Sequence, residues 1–128
     1  MKIIKYWKSF VVAIIIFYGS ITSGSNVNKV NFLNIKHFDK IAHFTLYFIF
    51  AITLYSSLLK NESFRKTKKI VITLLITILY GLLMESFQYL FTNDRSPEIY
   101  DALANTLGSI FGILILPLLV KLKLYKYL

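Results

Sequence analysis

Four apolar stretches, each near the ~20 helical residues that cross a bilayer, constrain this chain more than any other feature. They run from Tyr6 to Gly24, from Ile41 to Leu59, from Ile70 to Phe91 and over about 97–116. Hydrocarbon offers the backbone no hydrogen bonds, so such segments must be helices. Barrel strands would be about ten residues long and alternating. Composition points the same way: 56% of residues are hydrophobic and 16% charged, against about 45–50% and about 25% in soluble domains. The 128 residues make one domain, 1–128, too small to bury that much apolar surface in water. The expected fold is all-α: a polytopic membrane protein built as a four-transmembrane-helix bundle. The first stretch has a rival reading as a cleaved signal peptide, with lysines, the apolar run Phe10–Phe17 and then small polar residues. Its length favours a span. There is no Cys, which excludes disulfides, thiolate metal sites and a Cys nucleophile.

The net charge is +9, but the basic residues sit in short clusters between the apolar runs. Nucleic-acid binding would gather them on a face or stripe of a folded domain, so no nucleic-acid partner is expected. Eleven Lys and Arg fall in the N-terminus, second loop and tail, against four (Lys29, Lys36, Lys40 and Arg95) in the first and third loops. Positive flanks stay in the cytoplasm, so both termini are expected there and the first and third loops outside. The first loop, Ser25 to Lys40, carries Phe32, Leu33, Ile35 and Phe38 and reads as an amphipathic piece along the outer interface. Ser96 and Pro97 read as an N-cap and first helical position. Pro117 is expected to end or kink the last helix.

A charged side chain within a membrane needs a partner, a cavity or a function. On the second stretch Asp39, His43 and Tyr47 are spaced by four, and Lys40 joins their face. A bond from Asp39 to His43 would fix the imidazole tautomer and raise its basicity. Lys40 and Tyr47, taken alone, also read as interfacial anchors. On the third stretch Gly81, Glu85 and Gln88 share a face, with Glu85 about 9 Å of helix rise inside Phe91. Gly81 is expected to admit a neighbouring helix. On the fourth, Asp101, Asn105, Gly108 and Gly112 fall within about 60° on a helical wheel. Its Gly-x-x-x-Gly half is a packing surface. Arg95 precedes them as a natural partner for an acid or phosphate. The expected topology places Asp39, His43, Glu85, Gln88, Arg95, Asp101 and Asn105 at similar depth in the outer half. Three facing helices contribute to this one-sided polar site.

These pieces resemble the VanZ-like family of small bacterial membrane proteins. The resemblance rests on Asp39-Lys40-x-x-His43-Phe44-x-x-Tyr47, Tyr80-Gly81-x-x-x-Glu85-x-x-Gln88, Arg95, and Asp101-x-x-x-Asn105-x-x-Gly108-x-x-x-Gly112. It covers residues 39–112, and their order and spacing on three successive spans carry it. The resemblance implies a multi-pass protein of the bacterial cytoplasmic membrane with a role close to the cell envelope. The name-giving member is associated with lowered sensitivity to teicoplanin, and a resistance role comes to this chain only with the name.

Two functions from different classes follow. In the first, the polar pocket binds an envelope lipid or lipid-linked cell-wall precursor. Lys36, Lys40 and Arg95 meet phosphate or carboxylate, and Gln88 and Asn105 bond sugar or peptide groups. In the second, a membrane enzyme hydrolyses or transfers a group on such a lipid. There His43, Glu85 and Asp101 are the catalytic candidates, with His43 as base and Glu85 as acid. No nucleophile elbow accompanies Ser86 or Ser96. No cofactor is assigned; a divalent metal on His43, Glu85 and Asp101 has suitable ligand chemistry but only one inward His. A homo-oligomer is left open.

Overall fold

The computed structural model describes residues 5–22, 38–92 and 98–122. They form four helices and, among the described residues, no strand: α1 (Trp7–Ile21), α2 (Phe38–Leu59), α3 (Lys66–Phe91) and α4 (Ile99–Lys121). Three of them, α2, α3 and α4, are long and apolar enough to cross a membrane. With 15 residues, α1 rises about 22 Å, short of the ~30 Å hydrocarbon core. The span expected over 6–24 is therefore a shorter helix, which ends where Thr22 turns extended and its N–H bonds the Tyr18 carbonyl. Ser23 and Gly24 lie outside the described residues, as do Ser96, Pro97 and most of the first loop.

The other helices overrun their apolar stretches. α3 starts at Lys66, four residues before Ile70, because basic residues can continue a helix into the interface while their charges reach water. α4 continues to Lys121 with Pro117 inside it, so Pro117 does not end the helix. A proline removes one intrahelical hydrogen bond, and neighbouring helices in a membrane protein let the element continue past it. Between α2 and α3, Asn61 Oδ1 accepts the Ser63 N–H at 3.2 Å. The Lys69 ammonium donates to the Leu59 carbonyl at 3.2 Å, placing a cation on the negative end of α2.

The most extensive contact is between α2 and α4, which run parallel. Gly108 lies on Phe44 and Gly112 on Phe48, one turn further along both helices. A Cβ at Gly108 would overlap the Phe44 carbonyl oxygen. One at Gly112 would stand 2.6 Å from the Phe48 carbonyl oxygen and 3.1 Å from Ala51 Cβ. The seam continues into a core of Ala51, Ile52, Tyr55, Ile113 and Leu116, and the Phe44 ring packs on Phe48 and Phe111. α3 runs antiparallel to both and packs on both.

α1 packs against α2 and α3. The Ser57 hydroxyl on α2 lies 2.8 Å from the Lys5 carbonyl oxygen, and Tyr80 on α3 donates to the Ala13 carbonyl at 2.7 Å. Ile16 joins Tyr47, Phe50 and Met84 in a second core. α1 thus runs antiparallel to α2, as the first member of an up-and-down bundle would. Outward, Leu79, Leu90, Phe91, Ile99 and Leu114 are exposed, the apolar shell that lipid covers. Three buried hydroxyls satisfy themselves: Thr73, Thr77 and Ser109 each donate to the carbonyl four residues earlier.

The glycine seam yields a paired test. Gly108→Ala forces α4 off α2 and costs about 1–3 kcal/mol, the range for overpacked contacts. Gly19→Ala meets nothing within 4 Å and gains about 0.5–1 kcal/mol from helix propensity. Thermal melts of both variants in detergent should move in opposite directions.

Candidate functional site

Because α2 and α4 are parallel and α3 opposes them, the start of α2, the end of α3 and the start of α4 meet at one end of the bundle. Lys40 and His43 come from α2, Glu85 from α3, and Glu98, Asp101 and Asn105 from the α4 side. His43 Nδ1 lies 3.0 Å from Asn105 Oδ1 and 3.8 Å from Glu85 Oε1. One ligand atom from each of His43, Glu85 and Asp101 lies within 4.8 Å of the others. The three spans therefore bring these ionisable groups into one cluster.

At its mouth the Lys40 ammonium is the hub. It donates to Asp39 Oδ2 and Glu98 Oε2, each at 2.8 Å, and lies 3.3 Å from Asp101 Oδ1. The side chains grade inward: Glu98 is 48% exposed, Asp39 38% and Lys40 24%, then His43 14%, Glu85 8% and Asp101 6%. Tyr47 and Asn105 are buried below them, and Gln88 on α3 is buried as well. The site grades from a charged, partly exposed rim to a neutral, buried floor.

Several placements differ from the sequence reading. The carboxylate of Asp39 is held by Lys40, and the polar partner of His43 is Asn105 from α4. A full charge pair outcompetes a carboxylate–imidazole contact, although the four-residue spacing puts Asp39 and His43 on one face. Gly81 admits its neighbouring helices through their side chains. A Cβ there would meet Asn105 Nδ2 at 3.3 Å and the Tyr47 ring at 3.4 Å. Its small size makes room for the floor's side chains. Tyr47 is a floor residue at 1% exposure, which an interfacial anchor would not be. Ser86 is exposed and donates to the Leu82 carbonyl, so it takes no part. Arg95 and Lys36 lie outside the described residues. Glu98 is the residue the sequence reading missed, although Glu98, Asp101 and Asn105 are spaced three and four apart, the same one-face signal used for α2.

Two buried donors on the floor have no hydrogen-bond partner among the described residues: the Tyr47 hydroxyl and Asn105 Nδ2. A buried unsatisfied donor costs about 1–3 kcal/mol, so these groups are poised for acceptor oxygens from water or a ligand.

A bundle of apolar helices with ionisable groups gathered at one end defines a small multi-pass membrane protein. The chain belongs to the VanZ/LLP1 family, whose model matches residues 3–120, α1 included. No curated protein and no solved structure matches it.

The floor can be tested without knowing a ligand. Tyr47→Phe removes a hydroxyl that bonds nothing described here, so stability in detergent should hold within about 1 kcal/mol or rise. Asn105→Ala cuts the bond to His43 and should lower it. Scanning fluorimetry reads both, and a large loss in Tyr47→Phe would show the hydroxyl to be bonded.

Proposed function

We propose that this chamber binds the polar head of an envelope lipid or lipid-linked cell-wall precursor at the outer leaflet of the bacterial cytoplasmic membrane. The observation that carries the reading is the pair of buried donors, Tyr47 Oη and Asn105 Nδ2, at the base of a polar funnel between lipid-exposed helices. Phosphate, sugar and peptide groups all supply the acceptor oxygens such donors need. Gln88 stands on the α3 wall as a further amide. Lys40 is already surrounded by three carboxylates, so it serves the rim, and in this reading Arg95 is the group for phosphate or carboxylate. The outward orientation rests on the eleven-to-four distribution of basic residues. Where the ligand is a cell-wall precursor, its capture alters how much of it teicoplanin meets.

A second reading, a membrane enzyme acting on such a lipid, is favoured by one contact. His43 Nδ1 lies 3.0 Å from Asn105 Oδ1; in the tautomer that donates Nδ1–H to that oxygen, Nε2 is an acceptor, the state a general base needs. Glu85 and Asp101 stand beside it. Since no Ser nucleophile accompanies them among the described residues, the attacking group would be water.

Lipid identification by mass spectrometry, on protein extracted in native membrane patches, tests the binding reading. A defined envelope lipid should copurify with the wild type and be depleted at least several-fold in Glu85→Gln and Arg95→Ala. An identical lipid profile for all three proteins would end it. For the enzyme reading, the wild type in such patches should turn over its copurified lipid, and His43→Ala and Glu85→Gln should both abolish that turnover; full retention in both would exclude catalysis by these residues.

A further inference from the structure

Four of the six acidic residues in this chain of net charge +9 gather in one place: Asp39, Glu85, Glu98 and Asp101. Against them the described residues set one lysine and one histidine. Two of the acids, Glu85 and Asp101, are buried at a depth where desolvated carboxylates need opposing charge. An acid-rich funnel in a basic protein is built to receive positive charge.

Two groups of ligand atoms compete for that charge. Asp39, Glu98 and Asp101 form one, but the Lys40 ammonium already stands among them. His43, Glu85 and Asp101 form the other, each with a ligand atom within 4.8 Å of the others. Ligands on a common ion at about 2.0–2.2 Å from it lie at most ~4.4 Å apart. His43 Nδ1 and Glu85 Oε1, at 3.8 Å, meet that limit as they stand, and Asp101 needs to close by only a few tenths of an ångström. Asn105 Oδ1, 3.0 Å from the same nitrogen, adds a fourth donor atom. An independent observation comes from the floor, where the Tyr47 hydroxyl and Asn105 Nδ2 are buried without partners among the described residues. They are placed to donate to water or ligand oxygens brought by an ion.

We propose that His43, Glu85 and Asp101, assisted by Asn105, form a binding site for one divalent cation of the Mn2+ type. Two carboxylates, one imidazole and an amide oxygen suit an ion that accepts both oxygen and nitrogen ligands. This deepens the preceding reading, because a divalent ion in an acidic funnel bridges to a phosphate that the carboxylates alone would repel. Lys40 competes with the ion for Asp101 and retains Asp39 and Glu98.

The test uses the full chain in detergent, stripped with a chelator and titrated with Mn2+ alone. Bound ion is read by electron paramagnetic resonance and imidazole ligation by its pulsed nitrogen coupling. One ion per chain should bind, with nitrogen coupling in the wild type. His43→Gln and Asp101→Asn should weaken binding at least tenfold, Glu98→Gln should stay within about twofold, and Lys40→Met should tighten it. Absence of stoichiometric binding, or binding without nitrogen coupling, overturns the site; the wild-type spectrum decides this even where a variant fails to fold. Mn2+ bound by protein that retains no lipid defeats the lipid reading alone. Lipid retained by protein that binds no Mn2+ defeats the metal site alone.

Discussion

Where Gly108 and Gly112 lie on the backbone of Phe44 and Phe48, two parallel helices touch without intervening side chains, and the positions of the polar groups follow from that contact. Lipid tails are as apolar as the helices, so association in a membrane rests on close packing and interhelical bonds. The glycine seam supplies the first. It also sets the register: with Phe44 on Gly108, His43 reaches Asn105 and Lys40 reaches Glu98 and Asp101. A larger residue in the seam would separate those pairs while leaving each helix intact.

The polar cluster sets electrostatics against burial in a graded way. Charges that can reach water stand at the rim around Lys40, and the exposed pairs there contribute little individually. Deeper, Glu85 and Asp101 are held among His43, Asn105 and Lys40, and the floor is neutral. The floor's donors, the Tyr47 hydroxyl and Asn105 Nδ2, are buried without a partner among the described residues.

Much of this was legible because a helix in lipid has a fixed period and must satisfy its own backbone. The three spans and the faces carrying Asp39/His43/Tyr47, Gly81/Glu85/Gln88 and Asp101/Asn105/Gly108/Gly112 followed from spacing and hydropathy, and the family from the resemblance those motifs bear to it. The misjudged features share a cause. Whether Asp39 bonds His43 or Lys40 depends on what Glu98, Asp101 and Asn105 offer those two residues from α4, and whether Tyr47 sits at an interface or on a floor depends on the helices packed over it. Spacing along one helix contains nothing about them. Of the two outcomes expected at Pro117, an end or a kink, the helix rules out the end, since a helix held by its neighbours continues past a proline that would end an isolated one.

The sequence by itself determined that these residues are helices, which of them share a face, and that their polar positions need partners inside the bundle. Hydrocarbon leaves the backbone no alternative, and a 3.6-residue period is local geometry. Only the tertiary structure decided that α2 and α4 touch along their whole glycine seam, that α1 stops short, and that His43 answers to Asn105 and Glu85. Those outcomes depend on which helices approach closely, and that is a property of packing between distant segments.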